Sequence, residues 1–222
     1  QRTGGMDPLG RFRKMAKESE NGAKALKKLE SRLNEDSLWD TARAWLSRTP
    51  IMGSSPGDED DEQVVKNYVE SHISAQVNHG EEMAARMSKW GMGDSEAMKA
   101  RFASIAEGAR DFLMPNGEID RARAGLLFIE SYRDLPLLSW PRTLIDRMIE
   151  LEEAMVKWRH SHARMVERII GRRIGTGGSS GVDYLDATTS YRVFTDLWSV
   201  RTILIKNELR PKLENPEFYG FA

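Results

Sequence analysis

His162 is the residue best placed to do chemistry. After Pro141 the chain runs to Ile170 without glycine or proline, and Leu144, Met148, Leu151, Met155, Trp158, His162, Met165 and Ile169 step by alternating fours and threes. That spacing lines one face of a helix. His162 therefore falls within an apolar stripe, one turn from Trp158 and one from Met165, whereas His160 faces about 160° away on helical geometry. Arg159, Arg164 and Glu167 also lie off the stripe. An imidazole in an apolar seam needs a partner for its ring nitrogens. Two chemistries are open: a core histidine hydrogen-bonded to a carbonyl or side chain, or a ligand to a metal or haem iron, with the apolar neighbours packed on a porphyrin.

The second group of interest follows that helix. Arg172-Arg173-Ile174-Gly175-Thr176-Gly177-Gly178-Ser179-Ser180-Gly181 holds four glycines and three hydroxyls in its last seven residues. Such a loop can turn its backbone N–H groups inward to form an anion-binding concavity, and the arginines beside it can add charge-assisted bonds to carboxylates. A nucleotide-binding loop requires Gly-Lys-Ser/Thr after a strand; here no lysine follows the glycines and a helix precedes them. The Rossmann pattern fails for the same reason. A flexible linker is the alternative on composition alone. His72 and His79 lie seven apart on one helical face; without a third acidic or imidazole ligand nearby they read as surface histidines rather than a metal site.

These groups must be positioned by helices. The 222 residues carry no sustained alternation of β-branched residues, so the class is all-α. The basic stretch from Pro8 to Leu33 has interleaved glutamates and reads as a solvated helical face. A short helix is expected over Ser37 to Leu46, and Thr49 to Gly57, with two prolines and two glycines, is the clearest linker. The acidic run from Asp58 to Glu62 suits the start of a long helix reaching about Trp90. Further helices are expected over Ser95 to Leu113, Glu118 to Tyr132 and, with Pro141 in its first turn, from Ser139 onward. This gives basic N-terminal helices and a linker over 1–57 and a helical core over 58–222. Composition bounds the function: 40% hydrophobic and 30% charged residues with net charge -1 indicate a globular chain with no global bias toward nucleic acid or an anionic membrane. The absence of cysteine excludes disulfides, thiolate catalysis and thiolate or thioether haem attachment through this chain. No apolar run is long enough to span a bilayer and no signal peptide opens the chain, so a cytoplasmic location is the default expectation.

The order of the motifs is more specific than any one of them. Trp158-Arg159-X-X-His162, Arg164, Arg168-Ile169-Ile170-Gly171 and the run from Gly175 to Gly181 are followed by Tyr184-Leu185 and Phe194-X-Asp196-Leu197-Trp198-X-Val200-Arg201-Thr202. Together they resemble the C-terminal signature of the tryptophan 2,3-dioxygenase family, specifically over Leu135 to Thr202 and more weakly from Gly10 to Asp134. The resemblance implies an all-α helical bundle with a glycine-rich active-site loop. It implies a cytoplasmic homo-oligomer, tetrameric in the family, that binds haem b and inserts dioxygen across the indole C2–C3 bond of L-tryptophan or a related indole, giving N-formylkynurenine. By position, His162 matches the axial ligand of the haem iron, Trp158 and Val166 match haem-contacting positions, and Gly175, Thr176 and Gly177 match the segment that holds the amino-acid end of the substrate. No catalytic group beyond the iron is implied, since the cofactor carries the hard step.

Family members place the distal haem wall and the arginine that grips the substrate carboxylate in an N-terminal half that has no counterpart here. Either Met6 is the natural start, with Gln1 to Gly5 as added residues, or the chain is a piece of something longer. The expectation is an incomplete site that binds haem weakly alone. Two alternatives to the dioxygenase stand beside it: a haem-dependent hydroxylase or mono-oxygenase of an aromatic amino acid in a biosynthetic pathway, and a non-catalytic helical subunit or fragment needing the missing half. No role is assigned to the tail from Glu208 to Ala222.

Overall fold

In the computed structural model, the residues described are 13, 16, 20–32, 35–91, 94–173 and 181–220. They contain α-helices and short 3-10 turns and no strand, in agreement with the all-α expectation. The helices are α1 (Glu20–Arg32), α2 (Leu38–Leu46), α3 (Asp61–Lys89), α4 (Ser95–Leu113), α5 (Arg121–Ser131), α6 (Ser139–Ile170), α7 (Val182–Thr188) and α8 (Thr195–Ser199). Their ends fall where the local chemistry dictates. Asp94 caps α4 by accepting the Glu96 N–H at 3.1 Å. Asn116 and Gly117 turn the chain with φ of 60° and 83°, and Gly171 ends α6 at φ 63°. Two compact units are distinguished: Gln1–Leu38 with Glu150–Val193, and Trp39–Ile149 with Phe194–Ala222.

The second unit is built around α5, whose sequence RARAGLLFIES is buried from Ala124 to Ser131 on every side. A helix hydrophobic all round can only be central. Gly125 is required there, because a Cβ would lie 2.4 Å from the Leu46 carbonyl oxygen at the end of α2. Likewise Gly80 lets α3 approach α4, where a Cβ would lie 2.7 Å from that of Phe102. An ion network joins α2, α5 and α8. Arg43 donates to Asp120 at 2.7 Å and to Asp196 at 3.2 Å, and Arg123 donates to Asp196 at 2.9 and 3.2 Å. Asp120 also caps α5 through the Arg123 N–H. Phe194, Asp196 and Leu197 are all buried, so the Phe-X-Asp-Leu-Trp part of the sequence signature is architectural.

The tail from Glu208, to which the sequence assigns no role, is tied down twice. Arg210 donates to the Ser131 carbonyl at 2.6 Å and to Asp134 at 2.9 and 3.2 Å, and its guanidinium lies 4.6 Å over the Tyr132 ring. Tyr132 Oη donates to the Pro211 carbonyl. Tyr219 is fully buried against Phe128, and its Oη accepts from the Gly53 N–H at 2.9 Å and donates to the Pro50 carbonyl at 3.1 Å. Burial pushes the Tyr132 and Tyr219 hydroxyls up to about 12, so both remain protonated donors at neutral pH. The proline- and glycine-containing segment from Thr49 to Gly57 is thus a tight turn on a buried Ile51.

His72 corrects the expectation of a surface histidine. It is 0% exposed, and its Nε2–H donates to the Ile203 carbonyl at 2.9 Å, while Nδ1 has no partner among the described residues. His79, about two turns along the same face, is half-buried. The partner of His72 comes from 131 residues away, a contact no local pattern announces. Burial disfavours the imidazolium and lowers the His72 pKa, against the smaller opposing effect of the Ile203 hydrogen bond. The unfolded chain then binds the extra proton first. The stabilisation is fully present above about pH 6.5 and is lost as pH falls from there toward the lowered folded value. Urea unfolding at several pH values should show wild-type stability falling below about pH 6.5 more steeply than that of His72→Gln, whose amide can still donate to Ile203. Parallel pH profiles would refute the assignment.

Candidate functional site

The candidate residues belong to the first unit, on the part of α6 from Glu150 onward and the chain that follows it. The helix presents two different faces. Glu152 and Ala163 are buried, with Arg159 half-buried between them. This is the anchoring face: the Glu152 carboxylate accepts the Val193 N–H, and Arg159 donates to the Thr188 and Tyr191 carbonyls at 3.3 and 2.6 Å. Aliphatic stems pack while the polar ends satisfy backbone groups of the returning chain.

From Glu150 onward the apolar stripe is the other face, and apart from half-buried Met155 and His162 it is open. Leu151, Trp158, Met165 and Ile169 are exposed, Trp158 at 64% and Ile169 at 73%. The sequence reading placed His162 in a buried seam; it is instead half-buried in the middle of an uncovered apolar face. The difference is physical: the stripe lies about 100° round the helix from Ala163, and the residues turned inward are the charged ones that can reach backbone partners. His162 makes no hydrogen bond among the described residues. Its ring stacks on Trp158 with centroids 5.3 Å apart and planes inclined by 4°. Val166 is half-buried one turn on, and His160 is exposed on a different side.

Gly175, Thr176 and Gly177 lie outside the described residues. The flanks of their loop are well defined. Arg164 of α6 pairs with Asp186 of α7 and with Glu167, and the Asp186 hydrogen bond, with both carboxylates, holds the Arg164 guanidinium above its ordinary pKa. Arg172 donates to Glu167 and to Asp183, each at 3.3 Å. The ends of the loop are therefore clipped together by ion pairs on either side of it. Arg172, which the sequence reading offered to a bound carboxylate, is engaged within the protein; Arg173 makes no ion pair among the described residues. The clip partners Asp183 and Asp186 were missed, although their spacing of three on one helical turn beyond the glycines was a usable signal.

No group of three or more histidine, cysteine or acidic side chains able to hold a metal ion occurs among the described residues, and no described helix is long and apolar enough to cross a membrane. A single imidazole on an apolar face has the chemistry of a possible axial ligand to a haem iron.

The family model described as tryptophan 2,3-dioxygenase matches residues 11–204. The chain belongs to the tryptophan 2,3-dioxygenase family. It is 44% identical over 190 residues to a tryptophan 2,3-dioxygenase-like protein of Xanthomonas campestris pv. campestris (strain 8004), covering 80% of this chain and 68% of that one. It is 42% identical to a tryptophan 2,3-dioxygenase of Sorangium cellulosum (strain So ce56), covering 96% of this chain and 55% of that one. It is 44% identical to tryptophan 2,3-dioxygenase 2 of Ralstonia nicotianae, covering 81% of this chain and 51% of that one. The chain thus spans about half the length of the latter two relatives. Membership of the tryptophan 2,3-dioxygenase family bears out the resemblance carried by the motif order and supports a haem-dependent oxygenase function.

Proposed function

We propose that the chain carries the proximal side of a haem-dependent dioxygenase of L-tryptophan, with His162 as the axial ligand. The observation that supports this most directly is an imidazole without a hydrogen-bond partner among the described residues, in the middle of an exposed apolar helix face. Haem b fits such a face: one imidazole nitrogen for iron, and Trp158, Met165 and Val166 for the porphyrin. Bound haem would supply the activation of dioxygen.

The chain's own residues have three tasks. His162 would hold the haem iron through one imidazole nitrogen. The anchoring contacts of Glu152 and Arg159 keep the helix from rotating, so that His162 stays outward. The clips at Arg164 and Arg172 keep the two ends of the glycine-rich loop together. Gly175, Thr176 and Gly177 would then use N–H groups and a hydroxyl to bind the carboxylate and ammonium of the amino acid. Overall both oxygen atoms enter the product and the indole C2–C3 bond breaks, with no other co-substrate consumed. The homotetramer of the family and a cytoplasmic location remain part of this reading.

The test is spectroscopic and chemical. Titrated with excess haemin, the chain should develop a Soret band at the low affinity expected of an incomplete site. Reduced under oxygen with L-tryptophan, it should yield a product heavier than the substrate by two oxygen atoms. A product heavier by one atom would replace the dioxygenase by a mono-oxygenase, and absence of a Soret band would overturn the haem assignment.

A further inference from the structure

Among the described residues, His162 has no hydrogen-bond partner of the kind that normally orients a metal-bound histidine. Such a histidine usually donates its second ring N–H to a carboxylate, carbonyl or water, which fixes the ring plane and makes the ligand more basic. Among the described residues neither ring nitrogen of His162 has such a bond. Glu167, further along the same helix, is engaged by Arg164 and Arg172. The helix face also offers no fixed alternative, since the other stripe residues beside it are aliphatic or thioether side chains.

What the ring does have is Trp158. The indole lies one turn earlier, and the two ring planes differ by only 4° at 5.3 Å between centroids, an offset parallel stack. The terminal torsion of histidine is broad and roughly two-fold when nothing restrains it. A parallel indole removes that freedom while leaving both ring nitrogens, which point along the imidazole edge, available. Trp158 is itself placed by its neighbour: Arg159 is fixed to the Thr188 and Tyr191 carbonyls, which sets the rotation of this turn of α6.

We infer that Trp158 is a positioning residue for His162: the indole sets the plane of the imidazole by stacking, in the role that a hydrogen-bonded carboxylate or carbonyl plays in other histidine-ligated sites. This rests on His162 being the iron ligand and goes beyond it, because it separates Trp158 from a residue that only contacts porphyrin. A second consequence is chemical. An imidazole oriented by a π-face gains none of the added ligand basicity that a hydrogen-bonded anion supplies.

The experiment compares wild type, Trp158→Phe, Trp158→Leu and His162→Ala in the 222-residue chain. Without haem, the ring protons of His162 should be shifted upfield by the indole ring current in NMR spectra, and Trp158→Leu should abolish that shift. In haem-loaded protein, Trp158→Leu should change the iron–histidine stretching band in resonance Raman spectra and speed haem loss by about three- to tenfold, the range expected for one aromatic pair. Trp158→Phe should largely restore both, since an aromatic face remains. Trp158→Leu with an unchanged iron–histidine band would overturn the inference while leaving His162 as ligand. Haem binding that survives His162→Ala with the wild-type spectrum would instead overturn the ligand assignment on which it stands.

Discussion

Replacing His162 by alanine is expected to abolish haem retention, and replacing His160 by alanine to leave the Soret band nearly unchanged. The two imidazoles are two residues apart on one helix, so they point to different sides of it. Only His162 lies among the apolar residues that could cover a porphyrin, stacked on Trp158, and His160 is exposed outside that stripe. Neither substitution disturbs the anchoring face: Glu152, Arg159 and Ala163 keep their places, so both variants should melt close to wild type. The measurement is absorbance of gel-filtered protein after mixing with haemin, with thermal melts in parallel. A Soret band lost with His160→Ala and kept with His162→Ala would mean that the wrong face of α6 has been assigned.

The largest loss of stability is expected at Tyr219. Its ring is fully buried against Phe128, and its hydroxyl bridges the Gly53 N–H and the Pro50 carbonyl. Tyr219→Ala leaves a cavity in the aromatic cluster of the second unit, which for large-to-alanine core changes costs about 3–5 kcal/mol. Tyr219→Phe keeps the ring and removes the bridge; leaving the part-buried Gly53 N–H unpaired costs at most about 1–3 kcal/mol. Urea unfolding should therefore order the three proteins as wild type, Phe variant, Ala variant. A midpoint for Tyr219→Ala indistinguishable from wild type would show that the segment beyond α8 is not part of the folded core.

The sequence made most helix boundaries readable, because they are written locally. Asp94, Pro115-Asn116-Gly117 and Gly171 act through their own backbone geometry, and α4 and α6 span the residues expected from them. The motif order around His162 was readable for a different reason: it is linear, and the family comparison bears out the membership it implied. What could not be read was orientation. Apolar periodicity identified the stripe on α6 but not whether it is covered, and the face turned inward carries Glu152 and Arg159. Their inward placement depends on backbone groups at Val193, Thr188 and Tyr191, which no rule of helical spacing connects to them. His72 was misplaced in the same way, since its partner carbonyl at Ile203 arrives only with the folded chain. Long-range polar pairing leaves no periodic trace, and it decided each of these cases.

The division of α6 into an anchoring face and an open face has a consequence for how this helix can vary. Among the described residues the open-face side chains Trp158, Met165 and Ile169 make no hydrogen bond, so substitutions there should leave the anchoring contacts of Glu152 and Arg159 in place. Selection for a different bound molecule can act on Trp158, Met165 and Ile169 without first having to be compensated by changes at Glu152, Arg159 or Ala163. A library randomised over the open face should accordingly return mostly folded members with altered binding, while one of equal size over the anchoring face should return few folded members at all.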